Sequence, residues 1–208
     1  MNKKIYIERL FPDVIEKNLF HKLKIDHESL TYVTVPTDAA QITNIIKQHL
    51  IKKNLNIKDC IITDATAGAG GDTISFANHF KSVNAIEINT NRFNYLMNNV
   101  EVYKLNNVNL HNDDMMIITP NITQDVIFID PPWGGKSYKD NENLRLTIND
   151  LELESCCIEL LKTKPKLIVL KLPSNYDIDF LDEKVKLCGN IVNYKLNKMI
   201  ITVIDVKE

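Results

Sequence analysis

Short apolar runs alternate with stretches of helical period along most of the chain. Cys60-Ile61-Ile62-Thr63-Asp64, Ser82–Ile86, Val108–His111, Val126–Ile129 and Lys166–Leu170 read as strands, that of 126–129 as a buried one. Between them, apolar residues recur at the spacing of one helix face. Ile42, Ile45, Ile46 and Leu50 predict a helix that Thr37 caps and that ends near residue 53. A helix beginning near Asp72 follows the first strand. Phe93, Leu96, Met97 and Val100 predict another from about Thr90, and Leu151, Leu153, Cys157, Ile158, Leu160 and Leu161 one over 148–161. A helix over 177–186 precedes two strands, 191–196 and 199–206, joined by Asn197-Lys198. Strand and helix in strict alternation specify an α/β fold with a mostly parallel sheet.

Upstream, Ile5, Leu10, Val14, Ile15, Leu19 and Leu23 form a looser series, with Pro12 placed to open a helix over Val14–Phe20. Residues 1–31 are expected to be short helices packed on a main domain spanning 32–208. Lys3, Lys4, Arg9, Lys17, Lys22 and Lys24 read first as a solvated face, with a phosphate path as the alternative. Lys136 to Asn143 is polar and reads as a mobile loop.

Composition changes this picture little. At 208 residues, 44% hydrophobic and 25% charged, the chain suits one globular domain with an extension. A net charge of -2 gives no global attraction to nucleic acid, so phosphate contacts must be local. Cys60, Cys156, Cys157 and Cys188 lack metal-ligand spacing and suit a reducing, intracellular setting. No apolar run approaches a membrane span. A monomer that uses neither metal nor membrane is the expectation.

The chemistry sits at the strand ends. Asp64 leads into Ala65-Thr66-Ala67-Gly68-Ala69-Gly70-Gly71-Asp72-Thr73. A phosphate-binding loop would end in Lys-Ser/Thr, and Asp64 would repel a pyrophosphate. The same carboxylate suits the positive end of S-adenosylmethionine. Glu87, closing the second strand, is placed to accept ribose hydroxyls. Asn112-Asp113 after the third strand can receive an adenine amine, although a simple polar turn is the competing reading.

The fourth strand ends in Asp130-Pro131-Pro132-Trp133-Gly134-Gly135. Two prolines cannot extend a ladder, and each keeps its predecessor extended. The result is a stiff row of acceptors at the ligand-binding edge, suited to a planar group bearing an amine, with Trp133 as a flat surface beside it.

Asp-Pro-Pro-aromatic after an apolar strand resembles enzymes that methylate exocyclic amines of nucleobases. Pro131-Pro132-Trp133-Gly134-Gly135 with Tyr138 is similar to the signature of the trimethylguanosine synthase family. The Asp64–Thr73 turn resembles that family's Asp-Ala-Phe-Cys-Gly-Val-Gly-Gly-Asn-Thr, and the resemblance covers most of 32–206. It implies a Rossmann-like, class I S-adenosylmethionine-dependent methyltransferase fold, with seven strands of which the last is antiparallel. The implied cofactor contacts are Asp64, Thr66, Ala67, Gly68, Gly70, Thr73, Glu87, Asn112, Asp113 and Asp130. Transfer falls to Asp130, Pro131, Pro132 and Trp133, and the implied partner is capped RNA or a cap analogue. Trp133, Tyr32, Tyr138, Lys136, Lys171 and Asn175 are the expected substrate contacts, and the N-terminal extension is expected to complete the pocket. The chain departs from the pattern in carrying Asp130 for Ser, Glu87-Ile88-Asn89 for Asp-Ile-Asp, Asn112 for Gly and Ser174 for an Arg. With that Arg absent, Lys171 is the candidate phosphate contact. Asp130 leaves open a guanine or adenine amine methyltransferase acting on uncapped nucleic acid. A non-catalytic cap- or RNA-binding module is the third reading.

Overall fold

The computed structural model describes residues 3–13 and 17–207, without the side chains of 3–6, 17, 18 and 136. The helix expected over Val14–Phe20 therefore falls partly outside the described residues. So do the side chains of Lys3, Lys4, Lys17 and Lys136.

Helix α1 (Lys3–Leu10) ends before Pro12, and a 3-10 turn occupies Lys17–Lys22. Helix α2 (Pro36–Lys52) begins one residue before the expected cap. Pro36 fills its first turn and Val35 is the N-cap, so Thr37 is already helical. The alternating units follow: β1 (Ile61–Asp64), α3 (Gly71–Ala77), β2 (Ser82–Ile86), α4 (Thr90–Val102), β3 (Val108–His111), the single turn α5 (Met115–Ile118) and β4 (Val126–Ile129). The segment 135–140, expected as a mobile loop, is a 3-10 helix.

The helix expected over 148–161 starts late. Thr147–Ile148 (β5) and Leu151–Glu152 (β6) pair antiparallel, and α6 spans Leu153–Leu161. Asn149 and Asp150 turn this ribbon at φ 47° and 65°, a conformation that short polar side chains tolerate. Strand β7 (Leu167–Pro173), α7 (Ile178–Val185), β8 (Gly189–Leu196) and β9 (Met199–Val206) complete the fold. β7 runs on to Pro173, past its expected end at Leu170.

Seven strands form one sheet in the order β3-β2-β1-β4-β7-β9-β8, with β9 antiparallel to both neighbours. Strand alternation splits the core. Val126, Phe128, Leu167 and Val169 meet α2 and α3 on one face; Ile127, Ile129, Ile168 and Leu170 meet α6 and α7 on the other. Strand order reverses between β1 and β4, which opens a crevice at their carboxyl ends.

The N-terminal segment packs over the glycine turn. Leu10, Phe11, Phe20 and Leu23 cluster with Ala69 and Ile74. Asn99, fully buried on α4, accepts from the Lys24 amide at 2.8 Å and donates to the carbonyls of Lys24 (2.8 Å) and Ala69 (2.9 Å). One side chain thus ties the extension to the loop after β1.

Candidate active site

The crevice is walled by the loops after β1 and β4. In the β1 loop, Gly70 caps α3 at φ +97°, and a Cβ there would come 2.9 Å from Leu96 Cδ1. The turn keeps Asp64 inside, only 1% exposed. Thr73 Oγ1 donates to Asp64 Oδ2 at 2.5 Å, while Oδ1 is buried with no hydrogen bond of ordinary geometry among the described residues. Burial, followed by the charge of Asp72, pushes the Asp64 carboxyl up to about 8.

Glu87 accepts from the Gly68 amide at 2.9 Å through one oxygen and from the Asn89 amide at 2.8 Å through the other. Each carboxylate oxygen has a second lone pair for a ribose hydroxyl. Asn112 donates to the Glu87 carbonyl at 2.7 Å and fixes the end of β3 against that of β2. Asp113 is exposed, its Oδ1 receiving the Asp114 amide at 2.8 Å.

β4 delivers Asp130, whose amide donates to Thr66 Oγ1 at 2.8 Å and locks the two loops together. Asp130 Oδ2 accepts from Lys171 Nζ at 2.6 Å. Burial pushes the Asp130 carboxyl up, and Lys171 offsets part of that rise. The expected role of Lys171 as a phosphate contact is corrected here. The residue is 4% exposed, and its ammonium is spent on Asp130 and, at 2.9 Å, on Thr34 Oγ1. Thr34 in turn donates to Asp72.

Beyond Asp130, Pro131 is buried and Pro132 exposed. Trp133 is half-buried, and its indole N–H donates to the Lys171 carbonyl at 3.3 Å. The Tyr138 ring meets it edge-on, with centroids 5.2 Å apart and planes at 77°. Both rings line a cavity of about 190 Å³, with Pro132, Asn141, Arg145 and Thr147 among the other walls. Asn175 reaches this wall indirectly, donating to the Tyr138 and Asn141 carbonyls at 2.7 and 2.6 Å. Tyr32 stands elsewhere, 48% exposed, with the Arg92 guanidinium 5.6 Å from its ring centroid. The structure thus gathers Asp64, Thr66, Gly68, Thr73, Glu87 and Asn112 in one cradle. Trp133 and Tyr138 line a separate recess that Asp130 does not line; Asp130 is tied to the cradle through Thr66 and to Trp133 through Lys171.

Three neighbours escape a reading of the sequence. Thr34 carries no motif of its own, and Asp72, inside the glycine turn, gives no sign in the sequence that it meets Thr34. Arg145 lines the cavity while its guanidinium sits 3.4 Å from the Phe180 ring centroid and bridges to Asp177 at 3.3 Å.

The cradle fits S-adenosylmethionine. A buried carboxylate oxygen without an ordinary hydrogen bond calls for a cationic donor, which the α-ammonium supplies, and Glu87 retains capacity for two hydroxyls. A proton balance follows. Below its raised value Asp64 is mostly protonated, whereas the ammonium favours the carboxylate, so binding expels a proton. Affinity for S-adenosylmethionine rises with pH between about 6 and 8, by at most about tenfold per unit, and levels where Asp64 is already ionised. Calorimetry in two buffers of different ionisation enthalpy measures the released proton. Affinity independent of pH over that window rejects the assignment.

Comparison with known proteins agrees with this geometry. Residues 59–207 match the family described as RNA cap guanine-N2 methyltransferase. An uncharacterized protein, L320, of Acanthamoeba polyphaga mimivirus is 40% identical over 97% of this chain and 86% of its own length. Trimethylguanosine synthase of Schizosaccharomyces pombe is 27% identical over 57% of this chain, which spans about half of that protein (52%). Among solved structures, a putative methyltransferase from Streptococcus mutans in complex with SAH superposes with a TM-score of 0.52. It is 15% identical, over 78% of this chain and 97% of that one. An acceptor-lined cradle at the sheet's switch point, the strand-end Asp-Pro-Pro-Trp beside it and a family match across nearly all of the sheet lead to one conclusion: the chain belongs to the RNA cap guanine-N2 methyltransferase family and is an S-adenosylmethionine-dependent methyltransferase.

Proposed function

We propose that this methyltransferase acts on the exocyclic amine of a 7-methylguanosine cap. The observation that carries this reading is the junction at Asp130. Its amide is bonded to Thr66 of the cofactor cradle, and three residues later Trp133 lines a recess of about 190 Å³. An indole face favours the delocalised charge of 7-methylguanine over neutral guanine. Arg145 at the cavity wall suits a cap phosphate.

Bound S-adenosylmethionine supplies an electrophilic methyl group. Asp130 and the Pro131 carbonyl accept the amine hydrogens and orient the nitrogen lone pair, which ring conjugation otherwise withholds. The Asp130 carboxylate stabilises positive charge as the N–C bond forms and accepts the proton lost afterwards. Residues 17–34 cover the glycine turn, so we assign the N-terminal extension to closing the cofactor side of the same pocket.

The test offers the protein labelled S-adenosylmethionine with cap analogue, unmethylated guanosine triphosphate, capped RNA and uncapped RNA. Methylated base recovered only from the 7-methylated acceptors supports the reading. Equal transfer to uncapped RNA overturns it. That outcome favours an RNA amine methyltransferase without cap selectivity, the second reading, which Asp130 in place of the family's Ser keeps open.

A further inference from the structure

β7 is apolar except at one position. Every residue from Leu167 to Pro173 is buried, and the odd positions 167 and 169 face α2 and α3. Lys171 continues that face at the strand's carboxyl end. A buried ammonium is costly unless opposite charge surrounds it. The acids come from separate elements: Asp130 after β4 at 2.6 Å, Asp72 on α3 through Thr34, and Asp38 on α2. Asp64 on β1 faces the same two carboxylates, Asp72 and Asp130. Burial works against the Lys171 ammonium, yet Asp130 and Asp72 together hold it above the ordinary lysine range.

Asp130 and Asp72 each add a negative charge, and Lys171 lies between them. The same residue holds the other half of the motif, because its carbonyl receives the Trp133 indole N–H and its ammonium lies 5.8 Å from the indole centroid. We propose that Lys171 is a positioning residue for methyl transfer: its ammonium holds Asp130 by one oxygen, leaving the other to the target amine, while its carbonyl sets the plane of Trp133. This rests on the reading of Asp130 as amine acceptor and adds what orients it.

The two holds separate by experiment, since a side-chain substitution leaves the carbonyl in place. In Lys171→Met, kcat for cap analogue falls at least tenfold near neutral pH, while KM, set by Trp133, stays within about threefold. The acidic limb of the kcat profile moves up by about 1–3 pH units, the range an adjacent opposite charge commands. Lys171→Arg returns the limb towards the wild type. Carbon-13 NMR of the Asp130 carboxyl follows the same shift without any turnover. If Lys171→Met does not fold, Asp72→Asn/Lys171→Gln removes one charge of each sign and is expected to show a smaller shift of the same sign, because Lys171 is bonded directly to Asp130 whereas Asp72 acts on it only through space. An unmoved limb and carboxyl midpoint, or kcat and KM lost in parallel, overturns the proposal. A wild type that methylates no cap analogue, combined with a shifted Asp130 titration in the variant, defeats the cap reading and leaves the hold of Lys171 on Asp130 standing.

Discussion

Asp130→Ala lowers kcat for methyl transfer by about 10²–10³-fold, the usual loss when one preorganised charge-stabilising group is removed from an active site. Affinity for S-adenosylmethionine stays within a few-fold, because Asp64, Gly68 and Glu87 form the cradle independently of the Asp130 side chain. Truncation also takes from the buried Lys171 ammonium its nearest counter-charge, leaving Asp72, Asp38 and Thr34, so stability falls by less than the ~3–5 kcal/mol of a fully uncompensated buried charge. Asp130→Asn is therefore the companion variant. It keeps the shape and one acceptor oxygen but cannot take the amine proton. Turnover and cofactor titration of both variants decide the matter, with denaturation curves to separate folding from function. Equal losses of turnover and cofactor affinity would show that Asp130 serves binding alone.

The fold was legible wherever burial was two-sided. β1 and β4 announce themselves by an apolar run that stops at a carboxylate, and in the structure those stops share one edge of the sheet with the end of β2. Asp64, Glu87 and Asp130 can be read this way because a carboxylate at the end of a buried strand has no structural need to be there. The β5–β6 ribbon was hidden for the opposite reason. Ile148, Leu151 and Leu153 fit a helix face, and the competing signal, Asn149-Asp150, is a two-residue turn inside that pattern.

Long-range partners were not legible at all. Lys171 read as a phosphate contact because Ser174 stands where the resembling segment has an Arg, and Lys171 is the nearest cation. Only the sheet order, which sets β7 beside β4, turns it towards Asp130. Thr34 lies 137 residues from Lys171 in sequence, yet its hydroxyl joins Lys171 to Asp72. Asn99 falls within an amphipathic helix and looks like any polar helix residue, although it fastens the extension to the glycine turn. In each case the chemistry belongs to a contact between segments, and no local pattern encodes it.

Trp133→Ala is expected to raise KM for 7-methylguanosine acceptors by about 10–100-fold, from the loss of ~1–3 kcal/mol of base stacking, a cation–π component included. The effect on unmethylated guanosine acceptors is smaller, because a neutral ring gains no cation–π attraction. Loss of selectivity, rather than loss of rate, is the signature. The substitution also removes packing: Trp133 touches the cores on both faces of the sheet and the edge of Tyr138. Trp133→Phe retains an aromatic face with a weaker quadrupole and is expected to fall between Ala and the wild type in the KM ratio. The indole N–H bond to the Lys171 carbonyl is lost in both variants, so a difference between Phe and Ala reports the ring face and not that hydrogen bond. Competition assays with 7-methylguanosine and guanosine triphosphates measure the ratio directly. If the ratio is the same in all three proteins, Trp133 is a packing residue, and discrimination must arise elsewhere in the cavity, with Tyr138 the next side chain to change.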